Sequence, residues 1–309
     1  MAIISVLVAV LLDKIFAEPK CYHPLVGFGA VANCCEKILN QPHFSSGLHI
    51  FLGALAWFLL VILPSVFFLI LTSYLEVTLG YGWFFDAVII YIAIGYSSLR
   101  QHAVIVLAAL KEKNITLAQE KVGWIVSRDT KQLDSVGVRR ATIESVLENG
   151  SDAIFAPVFW FLIGGVPAVV VYRLANTLDA MWGYKTTRFL FFGRFSARMD
   201  DILNYIPSRI VGLSYALLGY TATALQCWRQ QARFLESPNA SVVMTAGGGA
   251  LNIRLGGDTY YQGEKKEKPF FGGKNDPTDK DVLRSIQLID KTLGLWCAVF
   301  VVYGVWALL

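Results

Sequence analysis

Three carboxylates recur at a helical spacing in the polar segment 111–152. Glu144, Glu148 and Asp152 follow one another at intervals of four residues, which places them on one face of an α-helix. Like charges at this spacing destabilise an isolated helix, so such a face needs a positive partner. Arg140 is one candidate partner, and a Mg²⁺ ion bound by hard oxygen ligands is the other. The spacing predicts either a salt-bridged, solvated face or a metal and substrate site, on a helix capped by Asp134 or Ser135.

Two later segments carry a second set of polar side chains. The first places Asn176 and Asp179 on one helical face. The second aligns a charged row beside a polar row: Arg194, Arg198, Asp201 and Tyr205 in one, Asp200 and Asn204 in the other. Arginine can bind phosphate or carboxylate through two parallel hydrogen bonds. The pattern predicts an anion-binding helix or a salt-bridged interfacial helix, and Pro207 is expected to end it.

A glycine cluster lies in the last polar segment. Gly247, Gly248 and Gly249 precede Asn252 and Arg254. The segment is not a phosphate-binding P-loop, because no GxxxxGK[ST] occurs, and Asn252 stands where a dinucleotide fingerprint needs its third glycine. Tight turns or close helix packing explain the cluster equally well.

The composition of the chain sets the environment for these residues. Of 309 residues, 55% are apolar and only 16% are charged, and the mean hydropathy is +0.51. A soluble domain is about 25% charged, so this chain has too few charges to cover a water-facing surface. The composition excludes a soluble enzyme and a disordered chain and indicates a multi-span membrane protein. The net charge of +4 is too small to suggest nucleic acid.

The apolar runs predict an all-α, polytopic bundle of membrane helices, with the polar loops at the membrane interface forming the site. We treat residues 1–309 as one integral-membrane domain that contains a large polar loop, 229–292. The run at 1–12 is too short to span and is predicted to be an anchor helix. Five longer runs are predicted to enter the membrane: 48–75 with a kink at Pro64, 83–110, 153–172, 207–228 and 293–309.

The positive charges predict an orientation. Segments 13–47, 111–152 and 229–292 hold 20 lysines and arginines, whereas 76–82 and 173–206 hold five. The basic group is expected on the cytoplasmic side of the cell membrane.

A family resemblance extends over nearly the whole chain. The residues that carry it are Asp13, Pro19, His23-Pro24, Arg128-Asp129-Thr130, Glu144, Glu148-Asn149, Asp152, Pro157, Gly164-Gly165-Val166-Pro167, Asn176-Thr177-Leu178-Asp179, Gly183-Tyr184, Phe192-Gly193, Ala197-Arg198, Asp200-Asp201, Asn204, Ile206-Pro207-Ser208-Arg209, Ser237-Pro238-Asn239 and Arg254-Leu255-Gly256-Gly257. This string resembles the CobD/CbiB family. Ala17-Glu18 stands where that family commonly has Gly-Asp, and Ala240 stands where a glycine usually follows the Asn.

The resemblance implies an adenosylcobinamide-phosphate synthase of cobalamin biosynthesis. Such an enzyme joins adenosylcobyric acid, a corrinoid, to aminopropanol phosphate or free aminopropanol, and the amide forms with ATP and Mg²⁺. A carboxylate does not condense with an amine unaided, and ATP supplies a leaving group by making an acyl phosphate. The implied partners are the corrinoid, the amino alcohol phosphate, the lipid membrane and later enzymes of the pathway.

The resemblance and the required chemistry together assign a role to each site residue. The predicted catalytic residues are Asp179, Asp200, Asn149 and Asn176, with Asp200 as acceptor of the amine proton and Asp179 also a candidate Mg²⁺ ligand. The predicted substrate and phosphate ligands are Arg128, Asp129, Arg194, Arg198, Asn204, Arg209, Asn239, Arg254 and His23. The predicted metal ligands are Glu144, Glu148, Asp152 and Asp201.

Topology raises a conflict. If 153–172 crosses the membrane once, Glu148 and Asn176 emerge on opposite faces, roughly 30–40 Å apart. We therefore favour a re-entrant hairpin that turns at Gly164-Gly165, because broken backbone at membrane depth is tolerated where protein buries it.

Two alternatives to an enzyme remain. The first is a non-enzymatic membrane sensor of the same superfamily, which would be expected to lose the carboxylate and Asn-Thr-Leu-Asp motifs kept here. The second is a small-solute transporter, for which no internal repeat is visible.

Overall fold

The protein is all-α and polytopic, as the composition predicts. The structure is a computed structural model that describes residues 1–18, 23–80, 82–261 and 263–306. Its helices, in chain order, are α1 (Ala2–Phe16), α2 (Pro24–Leu39), α3 (Ser46–Trp57), α4 (Leu63–Leu79), α5 (Gly82–Ala93), α6 (Tyr96–Lys111), α7 (Ile115–Val122), α8 (Ser135–Gly150), α9 (Ala156–Trp182), α10 (Arg194–Leu218), α11 (Thr221–Gln231), α12 (Ala240–Leu251) and α13 (Asp279–Trp306). Pro19 of the family pattern lies outside the described residues.

Four helical segments in the described part of the chain are long and apolar enough to cross a membrane. They are Ser46–Thr78, Gly82–Lys111, Ser135–Trp182 and Asp279–Val302. Only 22% of the apolar window of the first is buried inside the protein, so most of its apolar surface needs lipid as solvent. The short α1, of 15 residues, is not among the four.

The chain divides into two compact units. The first unit contains residues 1–95 and 156–204. In it α1 packs on α5, and α9 packs on α4 and α5. A π-helical turn, Phe58–Ile62, joins α3 to α4 immediately before Pro64. This wider turn lies where the kink was predicted, because proline cannot donate the hydrogen bond of a regular helix.

The helix α9 is interrupted at its centre, as Gly164-Gly165 predicted. Gly164 has φ −143° and ψ 19°, and Gly165 has φ 65° and ψ −156°, a conformation that suits only glycine. Trp160 before the break donates from Nε1 to the carbonyl of Leu203 over 3.0 Å. Tyr172 after the break donates to Oδ1 of Asn204 over 2.9 Å. Both arms of α9 therefore reach adjacent residues of α10, which favours the re-entrant interpretation.

Pro207 does not end α10, contrary to our prediction. The helix continues through it to Leu218. Proline at 207 leaves the carbonyl of Leu203, four residues earlier, without its helical donor. The indole of Trp160 donates to that carbonyl, so the helix can continue without an unsatisfied buried oxygen.

The second unit contains residues 96–155 and 205–309. Its core lies between α6, α7 and α8, around Val106, Leu110 and Val138. The predicted cap is correct: Asp134 accepts a hydrogen bond from the backbone of Gly137 over 2.7 Å at the start of α8. A π-helical turn, Ser151–Phe155, follows α8.

The single helix predicted for 207–228 is wrong. The chain breaks at Gly219 between α10 and α11, where the amide of Tyr220 donates to the carbonyl of Ala250 over 3.0 Å instead of continuing the helix. A side chain at 219 would overlap the backbone of Ala250, so this close approach requires glycine. The segment 229–292 is not a loop throughout: it contains the buried helix α12 and the first turns of α13. It also contains four short strands, β1 (Arg254–Gly256), β2 (Thr259–Tyr261), β3 (Glu264–Lys266) and β4 (Phe270–Gly272), paired antiparallel as β1 with β4 and β2 with β3.

Candidate functional site

In the first unit a polar network joins the second arm of α9 to α10. Asn176 donates from Nδ2 to Oδ1 of Asp200 over 3.1 Å, and Asn204 donates from Nδ2 to Oδ2 of Asp200 over 3.0 Å. Tyr172 donates to the side-chain oxygen Oδ1 of Asn204 over 2.9 Å, and Arg173 donates to Oδ1 of Asn176 over 3.2 Å. Each oxygen of the Asp200 carboxylate thus accepts from one amide, and each amide is itself oriented by another donor.

The surroundings of Asp200 raise the pKa of its carboxyl group. Burial raises the pKa of Asp200, the hydrogen bonds from Asn176 and Asn204 act in the opposite direction, and the charge of Asp201 raises it again. The net direction is upward. Burial also raises the pKa of Asp201, and Lys185 partly offsets that rise. A carboxylate with a raised pKa is a stronger base than an exposed one.

Close backbone packing holds the connection between α9 and α10. A Cβ on Gly193 would overlap the carbonyl of Trp182, and a Cβ on Gly183 would overlap the carboxylate and carbonyl of Asp179. The Trp182 and Phe192 rings meet edge to face with centroids 5.1 Å apart, and both residues are buried. Glycine at 183 and 193 therefore lets Asp179 lie against the helix end.

In the second unit a buried ion pair links the Arg-Asp-Thr motif to α8. Arg128 donates to Oε2 of Glu144 over 2.6 Å, and each side chain is only 11% exposed. The other oxygen, Oε1, accepts from the backbone of Gly256 over 2.7 Å. Asp129 pairs through its backbone amide with the carbonyl of Tyr260 over 2.8 Å and through Oδ2 with the amide of Gly263 over 2.7 Å. The strand segment near residue 260 is thus fastened to the motif.

The predicted carboxylate row, Glu144, Glu148 and Asp152, extends past the end of α8 at Gly150. No group of three or more His, Cys, Asp or Glu side chains that could hold a metal occurs in the part of the chain that the structure describes. Asp152 falls in the π-helical turn, whose hydrogen bonds join residues five apart and so depart from the four-residue spacing. In this row, Glu144 accepts hydrogen bonds from the guanidinium of Arg128 and from the backbone amide of Gly256. Asn149 donates to Oγ of Ser145 over 2.8 Å.

Two more predicted arginines have partners in the second unit. Arg209 donates from one nitrogen to Oδ1 of the buried Asn239 over 3.0 Å and lies 3.5 Å above the ring of Tyr205. Arg254 donates to both oxygens of Asp276, over 3.0 and 2.7 Å. The side chains of Arg209 and Asn239 therefore form a hydrogen-bonded pair. Arg254 is instead held by Asp276, an acidic residue that we did not predict.

Asp276 has a second arginine partner, Arg140, and both arginines lie beside the ring of Phe270. Arg140 is also bonded to Asp276, and the two guanidinium carbons, of Arg140 and Arg254, lie 4.8 and 5.0 Å from the Phe270 ring centre. Hydrogen bonds from Arg254 and then Arg140 hold the pKa of Asp276 below its usual value. The sequence prediction gave Arg140 to Glu144; its partner in the structure is Asp276.

The remaining predicted residues are placed separately. Arg194 and Arg198 are exposed on the first turns of α10. His23 caps α2, accepting at Nδ1 from the amide of Leu25 over 3.2 Å. Ala240 in place of the usual glycine is compatible with the backbone, because α12 begins at that residue with Asn239 at its N-cap position.

Sequence reasoning missed Tyr172 and Arg173 in the first unit. Tyr172 is the last residue of the apolar run 153–172, which we treated only as a membrane segment, and Arg173 follows it as the first residue of the polar segment 173–206. Tyr172 and Asn176 are four residues apart, so helical spacing already indicated a shared face.

Comparison with known proteins identifies the family. The profile described as CobD/Cbib protein matches residues 6–289. The chain belongs to the CobD/CbiB family. A "Cobalamin biosynthesis protein CobD" of Chromobacterium violaceum is 47% identical over 296 residues, covering 94% of this chain and 93% of that protein. Proteins with the same name from Stutzerimonas stutzeri and Halalkalibacterium halodurans are 46% and 35% identical, with 98% of this chain covered in each comparison and 98% and 97% of the relative.

Membership of the CobD/CbiB family makes this chain a cobalamin biosynthesis protein. The family match runs from residue 6 to residue 289, so it includes the residues of the polar network and the Arg128–Glu144 pair. No solved structure matches the chain.

Proposed function

We propose that this CobD/CbiB protein is an ATP- and Mg²⁺-dependent amide ligase. It would join the carboxyl group of adenosylcobyric acid to the amine of aminopropanol phosphate or aminopropanol. The observation that carries the proposal is the Asp200 carboxylate, whose two oxygens are oriented by the amides of Asn176 and Asn204. Amide formation releases a proton from the attacking nitrogen, and a positioned carboxylate of raised pKa is suited to accept it.

The chain's own residues supply the other requirements. The guanidinium of Arg128 is held in place by Glu144. Because its side chain is already ordered, binding phosphate oxygens would cost it little further conformational entropy. Tyr172 and Arg173 keep the amides of Asn204 and Asn176 with their N–H groups toward Asp200. Under the proposal, Asp200 receives the proton while Asn176 and Asn204 maintain its orientation.

The carboxylates of each unit, taken separately, are of the kind that would bind a magnesium ion together with substrate phosphates. Mg²⁺ is commonly held by one or two carboxylates together with phosphate oxygens, so it needs no complete cage of protein ligands. Asp201 beside Asp200, and Glu144, Glu148 and Asp152 in the second unit, are hard oxygen donors of the kind that it prefers. When bound with ATP, the metal supplies charge neutralisation on the phosphates, and ATP turns a carboxylate oxygen into a leaving group.

A direct assay tests the ligase. Purified protein in detergent is incubated with adenosylcobyric acid, ATP, Mg²⁺ and either amine, and the amide product is measured by mass spectrometry. Product that requires ATP is expected from the wild type, and Asp200→Asn should lower kcat by about 10²-fold or more, as for loss of a general base. Asp258→Asn is the matched control, because Asp258 is an exposed residue paired with Lys265 on the β2–β3 hairpin. Absence of product with both amines would reject the ligase.

The same proposal places the site segments on the cytoplasmic face through the re-entrant α9. Lys131 and Lys185 lie on opposite sides of α9 in the sequence, and both are exposed. Single cysteines at these positions, in a background without native cysteines, are expected to react equally with a membrane-impermeant maleimide applied to inverted vesicles. Labelling from opposite faces would show that α9 crosses the membrane once.

If the site is cytoplasmic, as proposed, later enzymes of the pathway, which accept the corrinoid product, would approach it from the cytoplasm.

A further inference from the structure

A cavity of about 310 Å³ lies in the second unit, away from every residue assigned above. It is bounded by the end of α10, the start of α11, the end of α12 and the first half of α13. Its lining includes Leu218, Tyr220, Leu251, Arg284 and Lys291. The lining therefore combines apolar side chains with two cations.

The two cations lie on one face of α13. Arg284, Gln287 and Lys291 are spaced i, i+3 and i+7, and all three line the cavity. Arg284 is fixed by Oδ1 of Asp281 at 2.6 Å and by the carbonyl of Leu251 at 3.0 Å, so its charge is already compensated. Lys291 is exposed and has no ion pair among residues that the structure describes. The cavity therefore carries one uncompensated positive charge.

The nearest acidic residue in the sequence does not neutralise Lys291. Asp290 accepts at Oδ1 from the hydroxyl of Tyr96 over 2.7 Å, so it is engaged with α6. The next residues of α13 are apolar, and 293–302 contain no charged side chain. Lys291 is thus the last charge before the apolar half of a membrane-spanning helix, the level at which lipid headgroups lie.

An exposed apolar stripe leads away from the cavity along α10. It consists of Ile206, Ile210, Leu213 and Leu217, which are 54, 37, 48 and 69% exposed. Their spacing of i, i+4, i+7 and i+11 places them on one face over roughly 17 Å. The indole of Trp296 donates to Oγ of Ser214 over 3.1 Å, while Leu218 lies at the cavity with Arg284 and Lys291. The stripe consequently runs from the cavity in the direction of the apolar half of α13.

We propose that this cavity binds the headgroup of an anionic phospholipid. Lys291 contacts the phosphate as the uncompensated cation, Arg284 and Gln287 donate further hydrogen bonds to its oxygens, and an acyl chain lies along the α10 stripe. Basic pockets beside membrane helices are suited to such lipids, because charge neutralisation and apolar burial occur together. The stripe favours a lipid over a free phosphate, which would leave that surface uncovered.

Native mass spectrometry of the delipidated, detergent-solubilised chain tests the proposal. Phosphatidylglycerol and phosphatidylcholine are titrated separately into the wild type and into Lys291→Gln. Phosphatidylglycerol is expected to bind the wild type more tightly, and Lys291→Gln should weaken it about fivefold, as for loss of one cation near a lipid phosphate. Lys291 is exposed, so its substitution leaves the fold intact.

The matched control is Lys280→Gln, which removes the same charge from the same helix outside the cavity. It should leave phosphatidylglycerol affinity unchanged. Equal affinity for the two lipids, or equal weakening by the two variants, overturns the proposal. Displacement of phosphatidylglycerol by millimolar inorganic phosphate overturns it as well and would assign the cavity to a soluble phosphate.

Discussion

Replacing Asn204 by aspartate turns an attraction in the polar network into a repulsion. The amide nitrogen of Asn204 lies 3.0 Å from Oδ2 of Asp200, and the substitution puts a second carboxylate there. Two unit charges about 4 Å apart interact by about 4 kcal/mol at an effective dielectric constant of about 20. This figure is an upper limit for the destabilisation, because a shared proton relieves the repulsion.

The loss of stability should depend on pH. The pKa of Asp200 is already raised by burial, and a second charge raises it further. A carboxyl whose pKa is higher in the folded than in the unfolded state keeps its proton on folding, so the cost is absent at acidic pH and grows as the pH rises. The apparent melting temperature of Asn204→Asp, followed by tryptophan fluorescence in detergent, should fall by roughly 5–10 °C relative to wild type between pH 5 and pH 8.

A second Asn→Asp substitution beside a carboxylate supplies the control. Asn40 donates to Oε1 of Glu36 over 2.7 Å, but there the guanidinium of Arg188 bonds both oxygens of Glu36, over 2.9 and 2.6 Å. Asn40→Asp should therefore show a smaller fall over the same pH range. If Asn204→Asp is no less stable at pH 8 than at pH 5, or if the two variants respond alike, the reasoning about an uncompensated carboxylate is refuted.

Further expectations concern the elements that hold the network. Gly193→Ala should lower the free energy of unfolding by about 1–3 kcal/mol through overpacking, measured by thermal unfolding, whereas Gly27→Ala, where a Cβ meets nothing within 4 Å, should have no such cost; similar losses in both would contradict the packing argument. Trp160→Phe should cost about 1–3 kcal/mol, because it leaves the carbonyl of Leu203 unsatisfied. The same change in a Pro207→Ala background should cost less, since alanine restores the backbone donor, and additive effects in that double-mutant cycle would argue against it.

Local signals in the sequence predicted the features that depend on local geometry. Asp134 caps α8, Gly165 breaks α9, and the i, i+4 pair Asp200 and Asn204 faces the polar network, all as their spacing indicated. The membrane class followed from composition, because burial in lipid is an averaged property of many residues.

What could not be predicted depends on partners far along the chain. Pro207 alone predicted a helix end, because proline removes the donor for the carbonyl of Leu203. The prediction was wrong because the replacement donor, Trp160, comes from another helix. The break at Gly219 depends on the backbone of Ala250, and the orientation of Arg254 on Asp276. The four short strands of segment 229–292 likewise lack the alternating pattern that marks longer strands.

The bridge made by Glu144 has a consequence for biosynthesis. Its two partners arrive at different times, because Arg128 precedes it by 16 residues and Gly256 follows it by 112. At a synthesis rate of about 5–20 residues per second, the interval before Gly256 emerges is roughly 6–22 s. During that interval Arg128 is the partner that neutralises the Glu144 carboxylate. Loss of Arg128 should consequently reduce the yield of inserted protein before it affects any step of the reaction.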